Sequence, residues 1–170
     1  MISRFPVLLI AAAAAVLLLA SASFGSDDEN DNGLRTADQA KAMLAQAVAA
    51  VKADKAKALD MFDKGEGGFR DGNLYVSCFN ISDGKFVATG NPNEREHLGE
   101  DGRAFKDVDG NPLKLEATAQ KPEGDITIVD IKLPKPGANK RPEPIEIFAT
   151  KVNDLICEVG YYYYRDVEHD

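Results

Sequence analysis

The sequence predicts an α+β fold, in which a long N-terminal helix packs on a five-stranded antiparallel sheet. Two observations support this class. Between Ala37 and Lys64 the apolar residues recur at the spacing of one helix face, and after Gly65 the apolar period changes to two, which is that of a strand. Five short segments with this strand period follow. The polar sequence between the second and the third of these segments has room for one or two short helices. This order of elements is typical of α+β domains.

The helix is predicted from Ala37 to Lys64. Thr36, with Gln39 three residues later, has the pattern of a capping box. Lys55 interrupts the apolar stripe, so a kink or a break near Asp54 is compatible with the pattern. The stripe provides one face for burial; its members are Ala40, Leu44, Val48, Val51, Leu59 and Phe62.

The five strands are bounded by turn sequences. Ser82-Asp83-Gly84 predicts a hairpin between the first two, and Asn153-Asp154 predicts a tight turn between the last two. Pro134–Pro144 is too long for a tight hairpin and joins the third strand to the fourth. The predicted strands are Leu74–Asn80, Lys85–Thr89, Asp125–Leu133, Ile145–Val152 and Leu155–Tyr163.

The N-terminus has the pattern of a secretory signal peptide over residues 1–22. A single basic residue, Arg4, precedes an apolar run from Val7 to Ala20, and Ala20-Ser21-Ala22 is a small-x-small cleavage pattern. The alternative is an uncleaved anchor, but the run is shorter than the ~20 residues of a spanning helix. We therefore expect a periplasmic or secreted protein, with a flexible spacer over residues 23–35 and one domain over residues 36–170.

The charge and the cysteines restrict the function further. A formal net charge of −8 makes nucleic acid and anionic lipid surfaces poor candidates as partners. Cys78 and Cys157 are the two cysteines, and in an oxidising compartment such a pair favours a disulfide. Each lies mid-strand among apolar residues, so two buried thiols are the alternative.

Several motifs, in this order and spacing, resemble those of the single Cache domain family, in particular its type-two branch of small periplasmic sensors. The resemblance covers nearly the whole chain after the signal peptide. The motifs follow an alanine-rich helix and are GEGGF at Gly65–Phe69, LYVxCxNxxDG at Leu74–Gly84, LG at Leu98–Gly99, KDxDGNP at Lys106–Pro112, PxPG at Pro134–Gly137 and KVxDxxCxVGY at Lys151–Tyr161.

This resemblance implies a PAS-like sheet with strand order 2-1-5-4-3. The first and fifth strands would then be neighbours, which supports a disulfide between Cys78 and Cys157. The resemblance also implies a ligand pocket on one face of the sheet, beneath the loop between the second and third strands. Members of the family sense small molecules outside the cytoplasm, often organic acids or amino acids, for chemoreceptors and kinases.

Three candidates for ligand binding lie at or near the implied pocket. Arg103 falls in the loop that caps the pocket in relatives, where a guanidinium would bind a carboxylate with two hydrogen bonds. The alternative is a solvated surface charge. Tyr75 and Phe79 share one face of the first strand. They line the pocket if that face carries it, and otherwise they pack against the long helix.

Four further candidates come from other segments. Tyr161 and Tyr163 belong to a run of four tyrosines that alternate between the faces of the last strand, so two hydroxyls would point at a ligand. The alternative is a sheet edge filled on both faces. Asn91 and Lys132 are lower-ranked lining candidates.

We expect a binding module rather than an enzyme, without cofactor or metal. Catalysis by a nucleophile would have to use His97, and a cleft joining His97 to a carboxylate of shifted pKa would be its sign. The expected partners are a small-molecule ligand, such as an organic acid or amino acid, and a membrane-bound sensor kinase, chemoreceptor or transporter. Relatives commonly read Ala-His-Pro directly after the second strand, where this chain has no histidine in Ala88–Pro92. They often carry a tryptophan before PxPG, and this chain has none. The alternative is therefore a protein-interaction module that has lost its pocket.

Overall fold

The computed structural model describes residues 35–134 and 141–163. The predicted signal peptide, residues 23–34 of the predicted spacer and most of the Pro134–Pro144 connection lie outside the described residues. None of the helices in the described part of the chain has the length and hydrophobicity that a membrane span needs.

Two consecutive helices replace the single long helix that the sequence predicts. They are α1 (Ala37–Ala53) and α2 (Lys55–Lys64), and Asp54 between them has extended backbone with φ −159° and ψ 99°. The Asp54 carboxylate accepts a hydrogen bond from the Lys57 N–H at 3.1 Å, so this residue ends one helix and caps the next. The predicted capping box at the start of α1 is confirmed.

The described part of the chain contains an antiparallel sheet. Its strands are β1 Arg70–Asp71, β2 Leu74–Asn80, β3 Phe86–Thr89, β4 Ile126–Pro134, β5 Pro142–Val152 and β6 Leu155–Tyr162. The main strands lie in the order β3-β2-β6-β5-β4, which confirms the predicted order. A two-residue strand that the sequence did not predict, β1, pairs with the start of β2. Between β3 and β4 lie two short 3-10 helices, Pro92–His97 and Gly102–Ala104, and α3 (Leu115–Ala119).

The sheet separates two apolar cores because successive strand residues point to opposite faces. On one face, α1 and α2 cover β2, β5 and β6, with Val76 and Val159 among the residues buried there. On the other face, Phe79, Ile147 and Ile156 pack with residues of α3 and of the loop after β3. The second face is where the strands leave an open volume.

The predicted disulfide joins Cys78 in β2 to Cys157 in β6. The two residues are directly opposite each other in the register of these strands, and both are fully buried in the core beneath the helices. The bond therefore ties the first long strand of the chain to the last.

Candidate functional site

A cavity of about 1070 Å³ lies on the sheet face opposite α1 and α2. Residues of β2, β5 and β6 form its floor, and the two 3-10 helices with the segment between them form its wall and mouth. The side chains of Glu96 and Glu100 at the mouth are 80% and 67% exposed, so the cavity opens to solvent. This is the face, and the loop, at which the resemblance places a pocket.

A row of polar residues crosses the floor because their strands are paired in register. Ser77 of β2 is opposite Thr89 of β3 on one side and opposite Glu158 of β6 on the other. The hydroxyls of Ser77 and Thr89 are hydrogen-bonded at 3.2 Å, and all three residues are buried. The row gives an otherwise apolar sheet a polar strip.

Glu94 lies at one end of this strip and is held by neutral donors. Its Oε1 accepts hydrogen bonds from the Tyr75 hydroxyl at 2.6 Å and from Asn91 Nδ2 at 2.9 Å. Its Oε2 accepts one from the Thr89 hydroxyl at 3.1 Å. Asn91 also caps the 3-10 helix that carries Glu94, through a bond from the Asn93 N–H. The carboxylate is thus fixed in position without a cation among these partners.

Glu158 has a different environment on the floor of the same cavity. It is only 7% exposed, and no donor among the described residues bonds its Oε2. The pKa of Glu158 is raised to about 8, chiefly by burial and in addition by the nearby charge of Glu94. A buried carboxyl group without a partner is unusual in a folded protein, because its desolvation is not compensated.

Two tyrosines add hydroxyl groups to the cavity. Burial, followed by the charge of Glu94, raises the pKa of Tyr75 well above its usual value. The pKa of Tyr162 is raised to about 12 by the same two causes. Both phenols are therefore neutral donors at physiological pH, and the Tyr162 hydroxyl bonds the Pro134 carbonyl at 3.2 Å.

Apolar side chains form the rest of the lining. The rings of Phe79 and Phe86 are stacked with their centroids 4.7 Å apart. Gly102 lies directly against Phe79, since a Cβ atom there would be 2.5 Å from the ring. Further apolar surface comes from Phe105, Leu113, Leu133, Ile145 and Ile147.

The structure brings three of the seven sequence-predicted residues into this cavity. Tyr75, Phe79 and Asn91 line it. Because α1 and α2 cover the opposite face of the sheet, Tyr75 and Phe79 do not pack against these helices, which was the alternative. A binding role for the three stays a prediction that their position favours.

The other four predicted residues do not line the cavity. Arg103 bonds the Asp101 carboxylate at 2.8 Å and the Asp83 carbonyl at 2.6 Å, and Lys132 pairs with a carboxylate of the loop before α3. Tyr161 lies on the helix side of the sheet, and Tyr163 packs beside it. The Tyr161 hydroxyl bonds Glu146 at 3.0 Å, and the Tyr163 hydroxyl bonds an aspartate of β4 at 3.2 Å.

The sequence reasoning missed Glu158, Glu94 and Tyr162. A signal for Glu158 was present, because it is the one charged residue within the last predicted strand up to Tyr162 and alternates with Cys157 and Val159. A charge on a central strand indicates either a paired ion or a site. Tyr162 has the same parity as Glu158, and this parity selects it over its two neighbouring tyrosines.

His97 also lines the mouth of the cavity, so the cleft does contain both His97 and a carboxyl group of raised pKa. However, the His97 ring bonds Glu100 at 3.1 Å on the exposed rim, and the Ser77 hydroxyl on the floor bonds Thr89. No nucleophile–base hydrogen bond joins His97 to Ser77. Within residues 35–134 and 141–163, no three metal-binding side chains are grouped to hold an ion.

Comparison with known proteins identifies the fold. No protein-family model matches the sequence, and no curated protein matches it either. Among solved structures, the chain is similar to a methyl-accepting chemotaxis protein from Vibrio parahaemolyticus RIMD 2210633. The sequences are 18% identical, the match covers 74% of this chain and 86% of the other, and the TM-score is 0.56.

Two further structures are similar at 20% identity. One is the periplasmic sensor domain of a chemotaxis protein, with a TM-score of 0.54 over 75% of this chain and 90% of the other. The second is a Cache chemosensory domain described for its recognition of a carboxylic acid, with a TM-score of 0.51 over 75% and 88%. The fold of this chain is therefore that of a single Cache-type sensor domain. These likenesses do not separate the type-two branch from the others.

Proposed function

We propose that the protein is an extracytoplasmic sensing module that binds a small molecule in the cavity on the sheet face opposite α1 and α2. The cavity itself is the observation that carries the proposal. Its volume of about 1070 Å³ is at the upper end of the range for small-molecule sites, and apolar walls surround a few converging polar groups. Binding without chemical transformation fits the way in which the potential catalytic groups are occupied by other partners.

The alternative is a protein-interaction module of the same fold whose pocket has been lost. A sheet face filled with side chains would favour that alternative. Here the sheet face instead borders an open volume, and Ser77 on its floor has a small side chain. The open volume and the buried polar strip therefore favour ligand binding.

The extracytoplasmic location and the partner are parts of the same proposal. The signal-peptide pattern of residues 1–22 and the likeness to periplasmic sensor domains support export. A membrane-bound chemoreceptor, sensor kinase or transporter would then receive the signal. Fusing residues 1–40 to a reporter enzyme that is active only after export tests the location; a fusion without residues 1–22 is the control, and equal activity of both would contradict export.

Ligand binding is tested with a thermal-shift screen of the purified protein against carboxylic acids, amino acids and amines. We expect compounds of one charge class to raise the melting temperature, by an amount that grows with the logarithm of their concentration above the dissociation constant. A substitution that fills the floor, Ser77→Leu, is expected to abolish the shift. If no compound in any class changes the melting temperature, the interaction module is the better description.

A further inference from the structure

Acidic side chains predominate among the charged residues that line the cavity. Five carboxyl groups line it, from Glu94, Glu96, Glu100, Asp101 and Glu158, and its described lining contains no lysine or arginine. A cluster of acids at a surface is common and does not by itself indicate a ligand. The question is whether any of these carboxylates lacks a partner.

The acids at the mouth have side-chain partners within the protein. Asp101 is bound by the Arg103 guanidinium through contacts of 2.7–3.0 Å, and this bond holds the pKa of Asp101 below its usual value. The His97 ring lies 3.1 Å from Glu100 and 3.9 Å from Glu96. All of these groups are in contact with solvent.

The two acids deeper in the cavity are not compensated by a cation. The described partners of Glu94 are neutral hydroxyl and amide groups. Glu158 lines the cavity, and its buried Oε2 has no donor among the described residues. The carboxyl group of Glu158, on a residue that is 7% exposed, thus borders the cavity without a donor from the described residues to satisfy it. A cation entering it would also lie near Glu94, which is close enough to affect the charge of Glu158.

The surroundings favour an organic cation over a metal ion. Within residues 35–134 and 141–163, no three potential metal-binding side chains are grouped, whereas Ca²⁺ requires six or more oxygen ligands. Tyr75 and Tyr162 also line this volume, and aromatic rings of this kind attract ammonium groups. The stacked Phe79 and Phe86 rings provide an apolar surface for the body of such a molecule.

Resting on the ligand-binding function proposed above, we infer that the cavity takes a primary ammonium ligand with an apolar body, whose N–H groups bond the Glu158 carboxylate beside Glu94. An ammonium group supplies both the missing donor and the missing positive charge. A simple carboxylate supplies no positive charge, and it would lie near the Glu94 carboxylate without a lysine or arginine in the described lining to bind it. The α-carboxylate of an amino acid has the same disadvantage, so the free amine binds more tightly than the amino acid.

Proton release provides a signature of this binding mode. With a pKa of about 8, Glu158 is about nine-tenths protonated at pH 7 when the cavity holds no cation. An ammonium ligand requires the ionised form and therefore expels that proton. The other titratable groups of the lining are Glu94, Glu96 and His97 on the first 3-10 helix, Glu100 and Asp101 after it, and the phenols of Tyr75 and Tyr162, while β5 contributes only apolar side chains. The phenols stay protonated at pH 7, and His97 and Asp101 keep their partners at the mouth. Glu158 is therefore the expected source of the released proton.

The experiment is isothermal titration calorimetry of the purified protein with two series of matched compounds. The first series is isoamylamine, isoamyl alcohol, isocaproate and leucine, and the second is phenethylamine, hydrocinnamate and phenylalanine, with CaCl₂ as a separate arm. We expect an amine to bind at least about tenfold more tightly than its acid, alcohol and amino-acid counterparts. Titration in two buffers of different ionisation enthalpy should give a release of about 0.9 proton per bound amine at pH 7, since the pKa of Glu158 is about 8.

The variant Glu158→Gln keeps the size of the side chain and removes its charge. We expect it to weaken amine binding by about tenfold to hundredfold, the range for one charge-assisted hydrogen bond, and to abolish the proton release. Glu116→Gln is the matched control, because Glu116 is an exposed residue of α3 that does not line the cavity. It should leave amine affinity within about threefold of the wild type, well short of the tenfold that one such bond represents. Circular dichroism establishes that both variants are folded.

The outcomes separate this inference from the proposed function. Tighter binding of the acids than of the amines, with proton uptake, overturns the ammonium assignment and leaves ligand binding intact. Equal amine affinity of the wild type and Glu158→Gln, or binding of CaCl₂ alone, also overturns it. If no compound of either series binds and the thermal-shift screen finds none, the proposed function itself fails.

Discussion

The disulfide between Cys78 and Cys157 permits a quantitative prediction. The bond closes a loop with a sequence separation of 79 residues. In the chain-entropy model, closing a loop of that length lowers the entropy of the unfolded chain enough to stabilise the fold by about 4.5 kcal/mol. That is a large fraction of the roughly 5–15 kcal/mol by which a domain is usually stable. Reduced protein is therefore expected to be marginally stable.

The assay is urea denaturation followed by circular dichroism. We expect the oxidised wild type to exceed the Cys78→Ala/Cys157→Ala variant by about 4–5 kcal/mol in the free energy of unfolding, plus a contribution from the lost packing of two buried sulfur atoms. When the measurement is repeated under strong reducing conditions, the free energy of unfolding of the wild type should fall by the loop-entropy contribution alone. The free energy of unfolding of the variant should stay unchanged. Comparing oxidised with reduced wild type thus isolates the loop contribution from packing.

Two results would refute this reasoning. If the oxidised wild type, with the bond verified by mass spectrometry, unfolds at the same urea concentration as the reduced wild type, the loop contribution is absent. If the variant is far less stable than the reduced wild type, packing of the sulfur atoms outweighs the cross-link. A smaller dependence of the free energy on urea is expected for the oxidised protein, because its unfolded chain exposes less surface.

Three other predictions concern single residues. Asp54→Ala removes the cap of α2 and is expected to lower the free energy of unfolding by about 1 kcal/mol, measured by urea denaturation. Asp54→Asn can still cap the helix and should retain most of the stability of the wild type. An equal loss of stability in both variants would contradict a capping role. Asp107 accepts hydrogen bonds from three backbone N–H groups and one amide, which hold its pKa at about 2, below the usual 3.8. The Asp107 carboxylate therefore contributes fully to the free energy of unfolding above pH 4, and this contribution is lost as the pH falls through about 2. The difference in unfolding free energy between the wild type and Asp107→Asn should shrink over that pH interval. A constant difference would argue against the bound carboxylate. The pH dependence of the Glu158 contribution has the opposite sign, because burial raises the pKa of Glu158 from 4.5 to about 8. Without ligand, the wild type should lose stability relative to Glu158→Gln as the pH rises from about 4.5 to about 8, and parallel pH profiles would contradict its isolation.

The local pattern of the sequence was sufficient for most of the fold. Apolar period, capping residues and turn residues act over a few neighbouring residues, so the capping box at Thr36 and the strand Leu74–Asn80 were predicted at the positions where they occur. The strand order was not available from these local signals and came from the resemblance. The sequence left open whether the helix breaks at Asp54, because Lys55 interrupts the apolar stripe of the helix but does not determine the backbone conformation.

The candidate site was predictable only in part. Alternation shows which residues share a face but not which face the helices cover, and so Tyr75 remained ambiguous until α1 and α2 were placed. The same parity put Tyr161 beneath the helices and Tyr162 in the cavity. Arg103 was a reasonable anion-binding candidate by type, but the backbone turn brings Asp101 against its guanidinium.

The sequence by itself determined the class, the strands and the pairing partners of the cysteines, because these follow from short-range spacing and from a family pattern that spans the chain. Only the tertiary structure decided the character of the cavity. Glu158 is isolated because strands distant in sequence place Ser77 and Ala149 beside it, and neither supplies a charge. Its burial, its missing donor and its raised pKa are properties of that assembled environment and not of the residue type.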